Sequence, residues 1–151
     1  MVRLLLVRAV SATPSEVAKA YRESIESRPA AEDRAARSEV KVQDGGRIRF
    51  VSEGRARIGA VRIDGFVTWE GDRAWTCRRE ISVDGQPYSW EIEKYHLEPR
   101  NGGCDLTLDS EVHARGPLQE TLLLFGKRRL MVQRYRELDR WLPPADPGRS
   151  S

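Results

Sequence analysis

The chain has 151 residues, 39% of them hydrophobic and 32% charged, with a formal net charge of +3. That length supports one sizeable core, and that composition excludes a disordered or fibrous chain. The basic residues are interleaved with acidic ones, so a pI of about 9.1 does not amount to a nucleic-acid patch and argues against such a partner. No run approaches the roughly 18 apolar residues of a membrane span. The short apolar run Leu4–Val7, flanked by Arg3 and Arg8, is too brief for a signal-peptide core. Cys77 and Cys104 are too few for a disulfide framework. The expectation from these features is a cytoplasmic protein.

In chain order, the Val- and Leu-rich stretch Val2–Val10 reads as a strand. A helix start follows, with Thr13 as N-cap, Pro14 in the first turn and Glu16 three residues after the cap. This helix carries Val17, Ala20, Tyr21 and Ile25 on one side. Ser27–Arg37 is polar and Ala-rich, and is compatible with a short second helix or a loop. From Ser38 the pattern alternates, and Gly-containing turns divide it into strands near 38–43, 46–53, 65–70, 73–82, 87–98 and 104–114. Gly54–Ile63 reads either as a loop or as an early start to the next strand. Short turns between consecutive strands imply an antiparallel meander.

Alternation assigns one apolar row to each strand. The rows are Ile48 and Phe50; Phe66 and Thr68; Trp75, Cys77 and Ile81; Tyr88, Trp90 and Ile92; Leu106, Leu108 and Val112. The opposite rows, including Glu91 and Glu93, are polar and are expected to face water. The expected sheet is curved, wet on its convex face and covered on the other. Its cover is the stretch Pro117–Leu142, read as one helix ended by Pro143-Pro144. Leu123, Leu124, Leu130, Met131, Tyr135, Leu138, Trp141 and Leu142 form its apolar face. Within that face runs a charged seam of Glu120, Lys127 and Arg134. Leu118, Leu122, Phe125 and Val132 point the other way, to be covered by the first helix and loops or presented to a partner.

This order of strand, short helix, six-strand meander and long C-terminal helix resembles the helix-grip fold of the START-like (SRPBCC) superfamily. The most specific match is Val10–Val17 with Tyr21, which is similar to the family's first strand leading into an xAxPxxVxxxY helix. The resemblance spans residues 1–142, read as one domain, with 143–151 as a disordered tail. It implies an α+β fold: a curved seven-stranded antiparallel sheet wrapped around a long C-terminal helix, with one or two short helices after strand 1. It also implies a cavity between sheet and last helix for a lipid, quinone, polyketide-like or other hydrophobic or amphipathic molecule. Some members of the family are cyclases and some are protein-partner modules.

The residues expected around that cavity are Phe50, Phe66, Trp75, Arg79, Trp90, Lys94, Glu120, Leu123, Leu124, Lys127, Met131 and Arg134. His96 falls on the inner row as read and His113 on the outer, so they diverge and no metal site is expected. No cofactor is implied. Arg79, Lys94, His96, Glu120, Lys127, Arg134 and Tyr135 are open to three readings: ion pairs at a cavity rim, ligand contacts, or acid–base groups of a cyclase or dehydratase. Arg79, Lys94, Lys127 and Arg134 outnumber Glu120 and Glu70 on the inner rows. That excess implies an amphipathic ligand with an anionic or strongly electron-rich polar end near Lys127 and an apolar body along Phe50, Trp90, Leu123 and Leu124. Binding without catalysis is the leading expectation. A cyclase-type enzyme and an interaction module with a vestigial cavity are the alternatives. A monomer or weak homodimer is expected.

Overall fold

A computed structural model describes residues 1–26, 37–42 and 47–144, with side chains described outside 37–42. The uncertain segment after the first helix and most of the expected tail lie outside the described residues. Val2–Val10 forms strand β1, and Pro14–Glu26 forms helix α1. The start of α1 is a reciprocal capping box. The Glu16 N–H donates to Thr13 Oγ1 at 3.2 Å, and the Thr13 N–H donates to Glu16 Oε2 at 3.3 Å. Of the face read from the sequence pattern, Val17, Tyr21 and Ile25 are buried and Ala20 is half-buried.

The meander consists of β2 (Arg37–Val42), β3 (Ile48–Ala56), β4 (Gly59–Trp69), β5 (Ala74–Val83), β6 (Gln86–Arg100) and β7 (Gly103–Ala114). The open antiparallel sheet has the order β1-β7-β6-β5-β4-β3-β2; β2 is described by its backbone alone. Gly54–Ile63 resolves into a hairpin, with β3 and β4 paired as far as Ala56 and Gly59. Cys77 and Cys104 lie on β5 and β7, with β6 between them, and both are buried thiols with no disulfide.

The expected inner rows hold for β3, β5 and β7 and fail for β4 and β6. On β4 the buried residue is Val67, whereas Phe66 lies on the outer face, 42% exposed. Ile48, Val67 and Cys77 are successive cross-strand partners. On β6 the inner row is Glu91, Glu93, Tyr95 and Leu97, opposite Arg79, Cys77 and Trp75 of β5 and Leu106, Leu108 and Val112 of β7. Trp90, Ile92, Lys94 and His96 therefore belong to the outer row. Trp90 stacks on His113 there, with ring centroids 3.5 Å apart, and Arg78 lies over its ring.

The C-terminal cover is two helices rather than one: α2 (Pro117–Phe125) and α3 (Lys127–Trp141). Gly126 between them has φ −86° and ψ 4°, outside helical geometry, at a residue that pays the largest backbone entropy for joining a helix. The break ends the shared phase of the expected seam. Arg134 is buried, whereas Lys127 and Leu124 are exposed. Glu120 instead anchors α2, accepting from the Met1 ammonium and from the Ala114 N–H. Leu123, Leu130, Met131, Tyr135, Trp141 and Leu142 pack against the core with Leu138 fully buried among them.

Candidate functional site

The inner face of the sheet is apolar except at its centre. There Arg79 of β5 faces Glu91 of β6, with Glu93 one inner position further along the strand. A buried carboxylate is tolerated only when ionic and hydrogen-bonding partners surround it. Glu93 has them: Arg79 Nη1 and Nη2 donate to its Oε1 at 2.8 and 2.5 Å, and the Tyr95 hydroxyl donates to Oε2 at 2.5 Å. Arg134 reaches down from α3, with Nη1 3.3 Å from Glu93 and Nη2 2.8 Å from Glu91. Its Nη1 also donates to Glu137 at 3.0 Å. The helix is thereby tied to the middle of the sheet through two carboxylates.

Burial acts against the charge of Arg79, but Glu93, then Cys77 and Glu91, outweigh it and hold the guanidinium well above its usual range. The same opposition, won by Glu93 and Glu91, holds Arg134 above its usual range. Burial pushes the phenols of Tyr21 and Tyr95 well above theirs, with Glu93 adding to the effect on Tyr95. Both therefore remain neutral hydroxyls across ordinary pH.

Beside this ion cluster stands a wall of aromatic rings. Tyr21 of α1 lies at its centre, 5.0 Å from Trp75, 5.0 Å from Tyr95, 5.1 Å from Trp141 and 6.0 Å from Trp69, centroid to centroid. Trp75 and Tyr95 stack at 5.0 Å. Between the wall and the charges is a half-open cleft of about 500 Å³, bounded by Tyr21, Tyr95, Trp141, Arg79, Arg134 and Glu137 among others. A second, mostly apolar cleft of about 390 Å³ lies on the other side, between the β5–β6 end of the sheet and α2–α3.

The site expected from sequence is partly assembled here. Arg79 and Arg134 converge in the first cleft, and Leu123 lines the second. Phe50 and Trp75 are core residues on the inner face, and Met131 packs at its margin. Phe66, Trp90 and Lys94 are on the wrong face, Leu124 and Lys127 are exposed, and Glu120 lies at the α2 anchor. The expected cation excess disappears with them. Glu91 and Glu93 face inward against Arg79 and Arg134, so the interior holds matched charges and gives no basis for an anionic ligand end. Glu91, Glu93, Tyr95, Glu137 and Trp141 were missed as site residues. A signal existed: Arg79 on an apolar row demands a carboxylate on an adjacent strand, and Glu91 and Glu93 are the acids of the next one. Among the described residues no group of His, Cys, Asp or Glu is arranged to hold a metal.

No known family model matches the chain, and no characterised protein matches it in sequence. Solved structures do resemble it. The protein TTHA0849 from Thermus thermophilus superposes with a TM-score of 0.64 at 16% identity, covering 92% of each chain. Mll3558 from Rhizobium loti gives 0.62 at 18% identity, over 87% of this chain and 92% of that one. StfQ, a di-domain aromatase/cyclase (ARO/CYC) of the steffimycin biosynthetic pathway, gives 0.57 at 12% identity, over 92% of this chain and 44% of StfQ. These identities establish a likeness of fold: an antiparallel sheet with a C-terminal helix across it, of the helix-grip kind.

Proposed function

We propose that the protein binds a hydrophobic or amphipathic small molecule in the cleft between α1, α3 and the inner face of the sheet. The observation that carries this reading is the pairing of an aromatic wall with a fixed polar cluster in one cleft of about 500 Å³. That volume falls within the roughly 300–1,000 Å³ of small-molecule sites, which combine apolar walls with a few fixed polar groups. Flat apolar rings suit the wall of Tyr21, Tyr95 and Trp141. The likeness to an aromatase/cyclase of polyketide biosynthesis supports the same class of ligand.

Binding is preferred to catalysis because the carboxylates are already engaged. Glu93 accepts from two guanidinium nitrogens and a phenol, and a general base needs a lone pair in reach of substrate. The test combines native mass spectrometry of protein purified without detergent with quenching of tryptophan emission by β-naphthol. A co-purified mass or saturable quenching is expected, with the β-naphthol affinity weakened about tenfold in Trp141→Ala. No adduct and no saturable quenching, or quenching indifferent to Trp141→Ala, would overturn the reading.

A further inference from the structure

Helix α2 exposes what helices of a folded domain usually bury. Leu118, Leu122 and Phe125, spaced i, i+4 and i+7, form one stripe and are 70%, 62% and 84% exposed. No residue of α2 is buried. The charges around the stripe are one-sided. Arg115 precedes it, and Lys127, Arg128 and Arg129 follow it, all exposed. The single acidic residue between Arg115 and Gln133 is Glu120. Glu120 is engaged by the Met1 ammonium and the Ala114 N–H. The outer surface of this region is therefore apolar at its centre and cationic at both ends.

We propose that α2 docks the protein on an anionic phospholipid surface, lying in the interface plane without crossing it. Leu118, Leu122 and Phe125 would enter the boundary between headgroups and acyl chains, and Arg115, Lys127, Arg128 and Arg129 would meet lipid phosphates. Each such cation adds roughly fivefold to partition at an anionic surface. No helix among the described residues is long and apolar enough to span a membrane, which suits surface docking. A second copy of the chain fits the patch poorly, since a two-fold contact would oppose the same cations. The nine residues of α2 also make a patch about 13 Å long and about 10 Å wide, far below the roughly 800 Å² per partner of a stable interface.

Docking also has a use separate from the ligand cleft proposed above, at the second cleft on the other side. Leu122 belongs both to the exposed stripe and to the wall of the apolar cleft of about 390 Å³. That cleft therefore opens at the surface that meets lipid, where an apolar ligand would be collected or delivered. The docking test needs no ligand, so its failure and that of the binding reading are distinguishable.

The experiment is flotation with vesicles of phosphatidylcholine containing about one-third phosphatidylglycerol, compared with phosphatidylcholine alone. The parent protein is expected to float with anionic vesicles and to be released as salt rises from about 0.1 M to about 0.5 M. L118S/F125S should lose about tenfold or more in partition, as should K127E/R128E, both at unchanged Tm because the altered side chains are exposed. Absence of flotation, equal flotation on neutral vesicles, or indifference to these substitutions would overturn the proposal. So would a parent dimer in sedimentation velocity that L118S/F125S converts to monomer, which would assign the stripe to self-association.

Discussion

Removing one member of the ion cluster and removing several have opposite expected consequences. In Glu93→Ala, Arg79 and Arg134 keep their charge in the interior with only Glu91 and the partly exposed Glu137 to compensate, and a loss of about 3–5 kcal/mol is expected. Replacing charges together, as in Arg79→Met with Glu91→Leu, Glu93→Leu and Arg134→Met, should cost much less or nothing in denaturant unfolding, while abolishing the polar end of the cleft. If the single and multiple variants were equally destabilised, the cluster would be valued for shape and not for paired charge. At Gly65 the limit is space. A Cβ there would sit 2.4 Å from Phe50 Cζ, its cross-strand neighbour. Gly65→Ala should therefore lower stability by about 1–3 kcal/mol. On the outer face, the hydrogen bonds from Arg3, with its charge, hold the Asp109 carboxyl below its usual range. A depressed carboxyl pKa contributes stability above the unfolded value of about 3.9, and that contribution is lost as pH falls through the folded value. Asp109→Asn should thus melt below the parent at neutral pH and converge with it in acid, once pH falls below the depressed folded value.

Elements differ in how plainly their sequences declare them. The capping box of α1, the turns at Gly71-Asp72, Asp84-Gly85 and Asn101-Gly102, and the Pro143-Pro144 stop are local signals, and the structure follows them; the turn signal at Asp64-Gly65 is not followed, because both residues lie within β4. Strand phase is decided by the longest consistent row, and two strands offered a misleading short one. On β4 the fragment 65–70 is apolar in both phases. Val61 and Ile63, which continue the Val67 and Trp69 row, lay in the stretch that read as loop or strand. Gly65 further weakened that row, because its place on the inner face is filled by Phe50 from β3. On β6 apolar residues change sides within one strand: Trp90 and Ile92 are outer, Tyr95 and Leu97 inner. Glu91 and Glu93 looked like solvent residues because their partners stand on β5 and on α3, too far along the chain for any periodicity to register. The break at Gly126 was equally silent, since one glycine in a helical pattern is commonly tolerated. Its backbone angles are open to alanine, and a Cβ there would approach nothing closer than Leu122 O at 3.4 Å. Gly126→Ala should accordingly raise stability by about 0.5–1 kcal/mol, read as a higher Tm.

At the scale of the whole molecule, α3 is the part the sheet cannot do without. It supplies Leu138 to the core, Arg134 to the carboxylates and Trp141 to the aromatic wall. A chain ending at Gly116 would expose the inner face of the sheet to water and deprive Glu91 and Glu93 of the Arg134 guanidinium. It is expected to be insoluble on expression, and a soluble truncate with a native circular dichroism spectrum would contradict the assigned architecture.

The pairing of β1 with β7 joins residues about a hundred positions apart, from Val2 opposite Val112 to Val10 opposite Cys104. During translation β1 emerges with its edge unpaired, and at roughly 5–20 residues per second its partner follows some 5–20 s later. Throughout that delay the nascent chain displays Leu4, Leu5, Leu6 and Val7 as an open strand, apolar on both faces. Even in the finished fold, Leu5 and Val7 remain more than half exposed. Arg3 and Arg8 flank the run as charged gatekeepers against pairing with neighbouring nascent chains. The order of synthesis thus leaves β1 waiting longest of the strands for a pairing partner, and holdase chaperones should matter most in that interval.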